Sequence, residues 1–156
     1  MIVLGIDPGT KRIGYGLVEK TGPQLFCLEA GILKIVSDRP ELVLQEAKQG
    51  LVKIIEKFKP GLLVVERLYF AKNSKTALAV AEARGVILLA AAESRIPIKE
   101  YSPNEVKLGI TGYGKADKKA VWKMVKITLK LSGTIIDDAS DALALAILGC
   151  GEKWGA

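Results

Sequence analysis

Met1-Ile2-Val3-Leu4-Gly5-Ile6-Asp7-Pro8-Gly9-Thr10-Lys11-Arg12-Ile13-Gly14-Tyr15-Gly16 opens the chain and decides how it folds. The apolar run Ile2-Val3-Leu4, closed by Gly5 and then Pro8-Gly9, predicts a short buried strand followed by a tight turn. Asp7 stands where that strand ends. A carboxylate there is costly to bury unless something pairs with it. One reading is an Asp that hydrogen-bonds the turn; the other is one member of an acidic cluster. Arg12 to Glu19 predicts a second strand, joined by a short turn and so antiparallel to the first. Its glycines predict a bulge or a close approach to the backbone. Thr21-Gly22-Pro23 is a turn. Leu25 to Val36 predicts a third strand, broken near Ala30-Gly31, which completes a meander.

Composition narrows what the chain can do. At 156 residues, 49% hydrophobic and 26% charged, residues 1–156 are expected to form one soluble domain. No apolar run reaches the length of a membrane span, and the N-terminal residues carry no signal-peptide pattern. Cys27 and Cys150 lie far apart and match no metal spacing, so reduced thiols in a cytoplasmic protein are expected. The chain has no histidine. That excludes His-ligated zinc, His-dependent triads and imidazole acid–base chemistry. Catalysis must run on carboxylates, lysines, tyrosines or metal. The net charge is +6, and Tyr101 to Thr134 holds seven lysines against two acids. Such a segment is either a solvated helix face or the seat of a polyanion.

Further along, Ser37-Asp38-Arg39-Pro40 predicts the cap of a helix from Pro40 to Phe58. Leu62-Leu63-Val64-Val65 reads as a central parallel strand, and it ends at Glu66. Arg67 to Ser74 reads as a loop. The helix predicted from Lys75 to Ser94 is apolar almost all round, so it must bury two faces. A second copy of itself is the cheapest cover for the outer face, which predicts a homodimer; burial wholly within the domain is the alternative. Ile96 to Glu100 is a strand that Pro97 assigns to an edge. Ser102-Pro103-Asn104-Glu105 is a capping box that starts a helix through Leu108. Thr111 to Gly114 reads as a loop. Ala116 to Leu131 reads as a lysine-rich helix, ended by Ser132-Gly133, with Val121, Met124, Val125 and Leu129 inward. The last helix is expected from Asp138 to Leu148. The order implies an α/β fold: three antiparallel strands, then parallel strands, in a mixed sheet with helices on both faces.

Asp138 and Asp141 lie three apart, on one helix face. The helix dipole favours acids near its N-terminus, so caps explain them as well as a metal does. Asp7 and Glu66 shift the balance, because both end strands that should be neighbours. Four converging carboxylates repel one another unless a cation neutralises them. Oxygen-only ligation selects Mg²⁺ or Mn²⁺. Two such ions roughly 3.5–4 Å apart serve in-line phosphodiester cleavage, with no need of histidine.

Gly5-Ile6-Asp7-Pro8-Gly9-Thr10, Val65-Glu66, Ala71-Lys72-Asn73, Ala83-Arg84-Gly85-Val86 and Asp138-Ala139-Ser140-Asp141-Ala142-Leu143-Ala144 follow one another along the chain. Together these motifs resemble the RuvC family of bacterial Holliday junction resolvases, the crossover junction endodeoxyribonucleases. The resemblance spans essentially the whole chain, with the motifs in order. It implies an RNase H-like fold, a homodimer, and Mg²⁺-dependent paired cuts in opposing strands of a four-way junction. It implies that Asp7, Glu66, Asp138 and Asp141 are the metal-binding catalytic acids. Lys107 and Lys118 match lysines near the scissile bond. Tyr69, or the adjacent Phe70, matches a ring that stacks at the junction centre. Lys72, Lys115 and Lys119 are candidate DNA contacts, and a branch-migration motor of the RuvA and RuvB type is the implied partner. The Gly5–Thr10 turn also resembles the phosphate-binding turn of actin-like ATPases and sugar kinases, but no second Asp-x-Gly turn follows.

Overall fold

The computed structural model describes residues 1–69, 75–134 and 137–152. Five strands form one sheet: β1 (Ile2–Asp7), β2 (Arg12–Thr21), β3 (Gln24–Lys34), β4 (Leu62–Glu66) and β5 (Ile98–Tyr101). Five helices complete the described residues: α1 (Pro40–Phe58), α2 (Ala77–Glu93), α3 (Pro103–Thr111), α4 (Lys118–Leu129) and α5 (Asp137–Gly151). The strand order is β3-β2-β1-β4-β5. The first three strands pair antiparallel, and β1, β4 and β5 run parallel. β5, which carries the expected edge proline just ahead of it, lies at the sheet edge.

Alternation along the strands sorts side chains to two faces. Leu4, Ile6, Leu63 and Val65 pack with α1 and α2. Val3, Val64 and Leu62 pack with α4 and α5. Helices therefore cover both faces, as expected. The acids at the strand tips inherit this parity: Asp7 follows Val3 and Gly5, and Glu66 follows Leu62 and Val64. Both belong to the α5 face.

The glycines of β1 and β2 explain how close α5 comes. A Cβ on Gly5 would lie 1.9 Å from the carbonyl oxygen of Ala142, and one on Gly14 would lie 2.2 Å from that of Asp138. The sheet thus holds a trough without side chains, and the α5 backbone lies in it. Of the two uses expected for the β2 glycines, close approach is observed at Gly14 and Gly16, and a bulge-type register shift lies beside Gly16 in the pairing of β2 with β3.

Some boundaries differ from expectation. β3 is unbroken at Ala30-Gly31; the irregularity comes earlier, where Leu17 faces Glu29 but Val18 faces Cys27, leaving Leu28 as the extra residue. Gly31 serves the Tyr15 ring, whose hydroxyl would lie 3.0 Å from an added Cβ and donates to Glu29 at 2.9 Å. Neither Ser37 nor Asp38 caps α1. Arg39 is the N-cap residue, with no side-chain cap bond. Asp38 instead pairs with Lys11, and Glu46 accepts from the amides of Val36 and Ser37. The capping box on α3 forms in both directions, but the helix runs on to Thr111 before Gly112 closes it at φ +77°. α4 begins at Lys118, where Asp117 accepts from the Ala120 amide at 2.8 Å. It ends at Leu129 rather than Leu131, because Lys130 turns left-handed at φ +52°.

α2 buries one side in this chain, through Ala83, Ile87, Ala90 and Ala91. Its outer side leaves Leu78 72% and Leu89 52% exposed. Cys150 is buried and Cys27 half-buried, and both are free thiols. Among the described residues no helix is long and apolar enough to cross a membrane.

Candidate active site

β1 and β4 run parallel with Ile6 beside Val65. One residue further, both strands end, at Asp7 and Glu66. Parallel strands carry their C-terminal ends to the same edge, so the two carboxylates meet over α5. The glycine trough brings the first turns of α5 to them. A cavity of about 290 Å³ results, lined by Asp7, Glu66 and Asp141, by Lys107 from α3 and Lys118 from α4, with Val106, Val121 and Leu145 among its apolar walls.

Charge is unevenly balanced in this cavity. Burial and the negative fields of Asp141, Glu66 and Asp138 push the Asp7 carboxyl up to about 7, against the opposing pull of Lys118. Burial and Asp141 raise Glu66 too, with Lys107 and Lys118 pulling the other way. The Lys118 ammonium donates to Asp141 at 2.9 Å, and that bond holds its own pKa above the usual lysine value. Asp138 is not part of the cavity lining; it pairs with Arg12 at 3.3 Å. Asp138 is still close enough for its field to act on Asp7.

Among the described residues, no three acidic side chains are grouped tightly enough to grip an ion as they stand. The chemistry of the donor set nonetheless fits a hard divalent cation. All the candidate donors are carboxylate oxygens, and Asp7 is strained by burial and repulsion, which a positive charge relieves. The Lys118 ammonium now supplies part of that charge.

The remaining candidates spread around this cavity. Tyr69 is 64% exposed and borders a shallow cleft with Ser102, Pro103 and Asn104. Lys115 and Lys119 are exposed, and Lys119 lines a neighbouring groove. Phe70 and Lys72 lie outside the described residues.

Two arginines at the site had no role assigned from sequence. Arg12 holds Asp138. Arg84 of α2 is largely buried, donates to the carbonyl oxygen of Glu66 at 3.3 Å, and pairs with Glu100. Its signal was present: a cation in the middle of an apolar helix needs a buried partner.

This sheet order, with acids on the carboxyl edge and a helix lying across the sheet, places the molecule in the RNase H-like class. The family model described as crossover junction endodeoxyribonuclease RuvC matches residues 3–149, and the chain belongs to the RuvC family. The RuvC of Desulforamulus reducens is 47% identical over 156 residues, covering 99% of this chain and 94% of the relative. The Thermus thermophilus RuvC structure aligns with a TM-score of 0.85 at 30% identity, over 94% of this chain and 92% of that one. The structure of T. thermophilus RuvC in complex with Holliday junction substrate aligns with a TM-score of 0.87 at 31% identity, over 94% and 91% of the two chains.

Proposed function

We propose that residues 1–156 act as one nuclease domain that resolves four-way DNA junctions by paired, symmetric phosphodiester hydrolysis. The products are nicks with 5′-phosphate and 3′-hydroxyl ends. The observation that carries this reading is the meeting of Asp7, Glu66 and Asp141 with Lys107 and Lys118 in one cavity of a RuvC-family chain.

Asp7, Glu66, Asp141 and, from the rim, Asp138 would hold Mg²⁺, two ions per site, with Mn²⁺ able to substitute. Bound there, the ions would help ionise the attacking water and offset charge on the leaving oxygen. Lys107 and Lys118 hold the phosphodiester over the carboxylates; Lys118 leaves Asp141 to do so. Arg12 sets the position of Asp138. Tyr69, exposed at the rim, stacks on a base at the junction centre, next to Phe70. Lys72, Lys115 and Lys119 take flanking phosphates, a contribution that weakens as salt rises.

Two cuts on a symmetric substrate call for two sites. The apolar outer side of α2, with Leu78 and Leu89 exposed, is suited to a second copy. A branch-migration motor of the RuvA and RuvB type would deliver the junction in the cytoplasm. The test is cleavage of a synthetic four-way junction beside a linear duplex of the same sequence, with Mg²⁺ and with EDTA. Junction-selective, Mg²⁺-dependent paired nicking is expected. Equal cutting of both substrates, or cutting that survives EDTA, refutes the reading.

A further inference from the structure

A second cavity lies beside the catalytic one, on the outer side of α4. It is a groove of about 680 Å³ lined by Lys118, Lys119, Trp122, Lys123, Lys126 and Asp137. Lys118 lines both cavities, so the two adjoin at one side chain. Positions 118, 119, 122, 123 and 126 are related by steps of three and four, which gathers them on one stretch of helix surface.

Three features distinguish this groove from an ordinary solvated face. First, Lys118 and Lys119 open α4, whose first turn holds no acid, although a helix N-terminus disfavours cations. Second, Lys119, Lys123 and Lys126 make no ion pair with any carboxylate among the described residues. Third, a tryptophan sits among them. The Trp122 indole nitrogen is buried with no hydrogen-bond acceptor among the described residues, and the Lys126 ammonium stands 5.3 Å from the ring centroid. Lys118, Lys119 and Lys123 are exposed and Lys126 half-buried, and with Asp137 as the one acid among the described lining residues the groove is predominantly basic around the Trp122 ring.

We infer that the Trp122 groove is a second DNA seat, which takes the phosphodiester backbone of a junction strand as it leaves the catalytic cavity. This rests on the junction reading and extends it to Trp122, Lys123 and Lys126. The lysines neutralise successive phosphates, and the indole supplies the floor against which the backbone lies. Charge complementarity and the shared Lys118 at the border of the two cavities both favour DNA over any uncharged partner.

The test uses the full chain and a synthetic junction in EDTA, so that binding is read without cleavage. Lys123→Ala with Lys126→Ala should lower the slope of log affinity against log salt by about 2, because each lost phosphate contact removes about 0.9. Between 50 and 200 mM salt the variant should therefore lose about tenfold less affinity than the parent chain. An unchanged slope in a parent chain that binds junctions overturns the groove and leaves the junction reading standing. A parent chain that does not bind junctions overturns both. A second measurement reads the indole directly. The chain has two tryptophans, so Trp154→Phe leaves Trp122 as the fluorophore. Junction DNA should protect it from acrylamide. Unchanged quenching overturns the proposal, and so does equal protection by inorganic phosphate at matched ionic strength.

Discussion

Exchanging Asp7 for Asn removes a carboxylate that burial and neighbouring acids strain, and metal-free stability should rise as a result. The Asp7 carboxyl moves from an ordinary 3.8 to about 7 in the fold. Between those two values the unfolded chain has released its proton while the folded chain still holds one. Folding then binds a proton, so stability falls as pH rises through this window, and the penalty is complete above about pH 7. At about 1.4 kcal/mol per unit the full penalty is on the order of 4 kcal/mol. Water in the cavity and the desolvation of the new amide reduce the expected gain to about 2 kcal/mol. For a chain of this size that is a rise of about 4–8 °C in melting temperature. The assay is thermal unfolding of both proteins in EDTA at pH 8 and at pH 4.5. The variant should melt higher at pH 8, and the difference should shrink to below about 1 kcal/mol at pH 4.5. Adding Mg²⁺ at pH 8 should then raise the parent chain more than the variant, since a ligand of the folded state stabilises it by mass action. Junction cleavage should be lost and junction binding kept. A variant that melts no higher than its parent at pH 8 in EDTA, or higher by the same amount at both pH values, refutes the reasoning.

The glycine trough predicts that Gly5→Ala drives α5 outward. A Cβ 1.9 Å from the Ala142 oxygen forces a shift of about 1 Å, which should cost about 1–3 kcal/mol in urea unfolding and about a hundredfold in cleavage rate. Gly85→Ala is the matched control, with nothing within 4 Å of the new methyl group, and its folded protomer should be as stable as the parent or more so. Leu89→Glu places a charge on the exposed apolar side of α2 and tests the proposed pairing there: sedimentation should show a dimer for the parent chain and a monomer for the variant, with circular dichroism unchanged.

The parts of the fold readable in the sequence were those set by local pattern. Leu62 to Val65 is apolar without interruption and stops at an acid, so a buried strand with Glu66 at its tip follows directly. The same logic placed Asp7. Ser102 and Glu105 carry their capping box in their spacing alone. Features that depend on distant partners were hidden. Asp38 reads as a cap until Lys11, from another part of the chain, arrives to bind it. Asp138 and Asp141 share a helix face, yet Arg12 claims one and Lys118 the other, and no spacing reveals that division. The extra residue at Leu28 arises from the register between two strands, which neither strand encodes alone. Gly14 and Gly16 announced a bulge or a close approach, but not that α5 would make the latter.

α2 has two working sides. Leu78, Glu82, Gly85 and Leu89 recur along its exposed edge, while Arg84 projects from the opposite side to the carbonyl of Glu66 and the carboxylate of Glu100. A helix is stiff over this length. A body settling on the outer edge and rocking the rod would tug on the tips of β4 and β5 through one guanidinium. In a pair of protomers joined along these rods, pressure on one catalytic mouth would be felt at the other, a mechanical route by which two incisions could be kept in step.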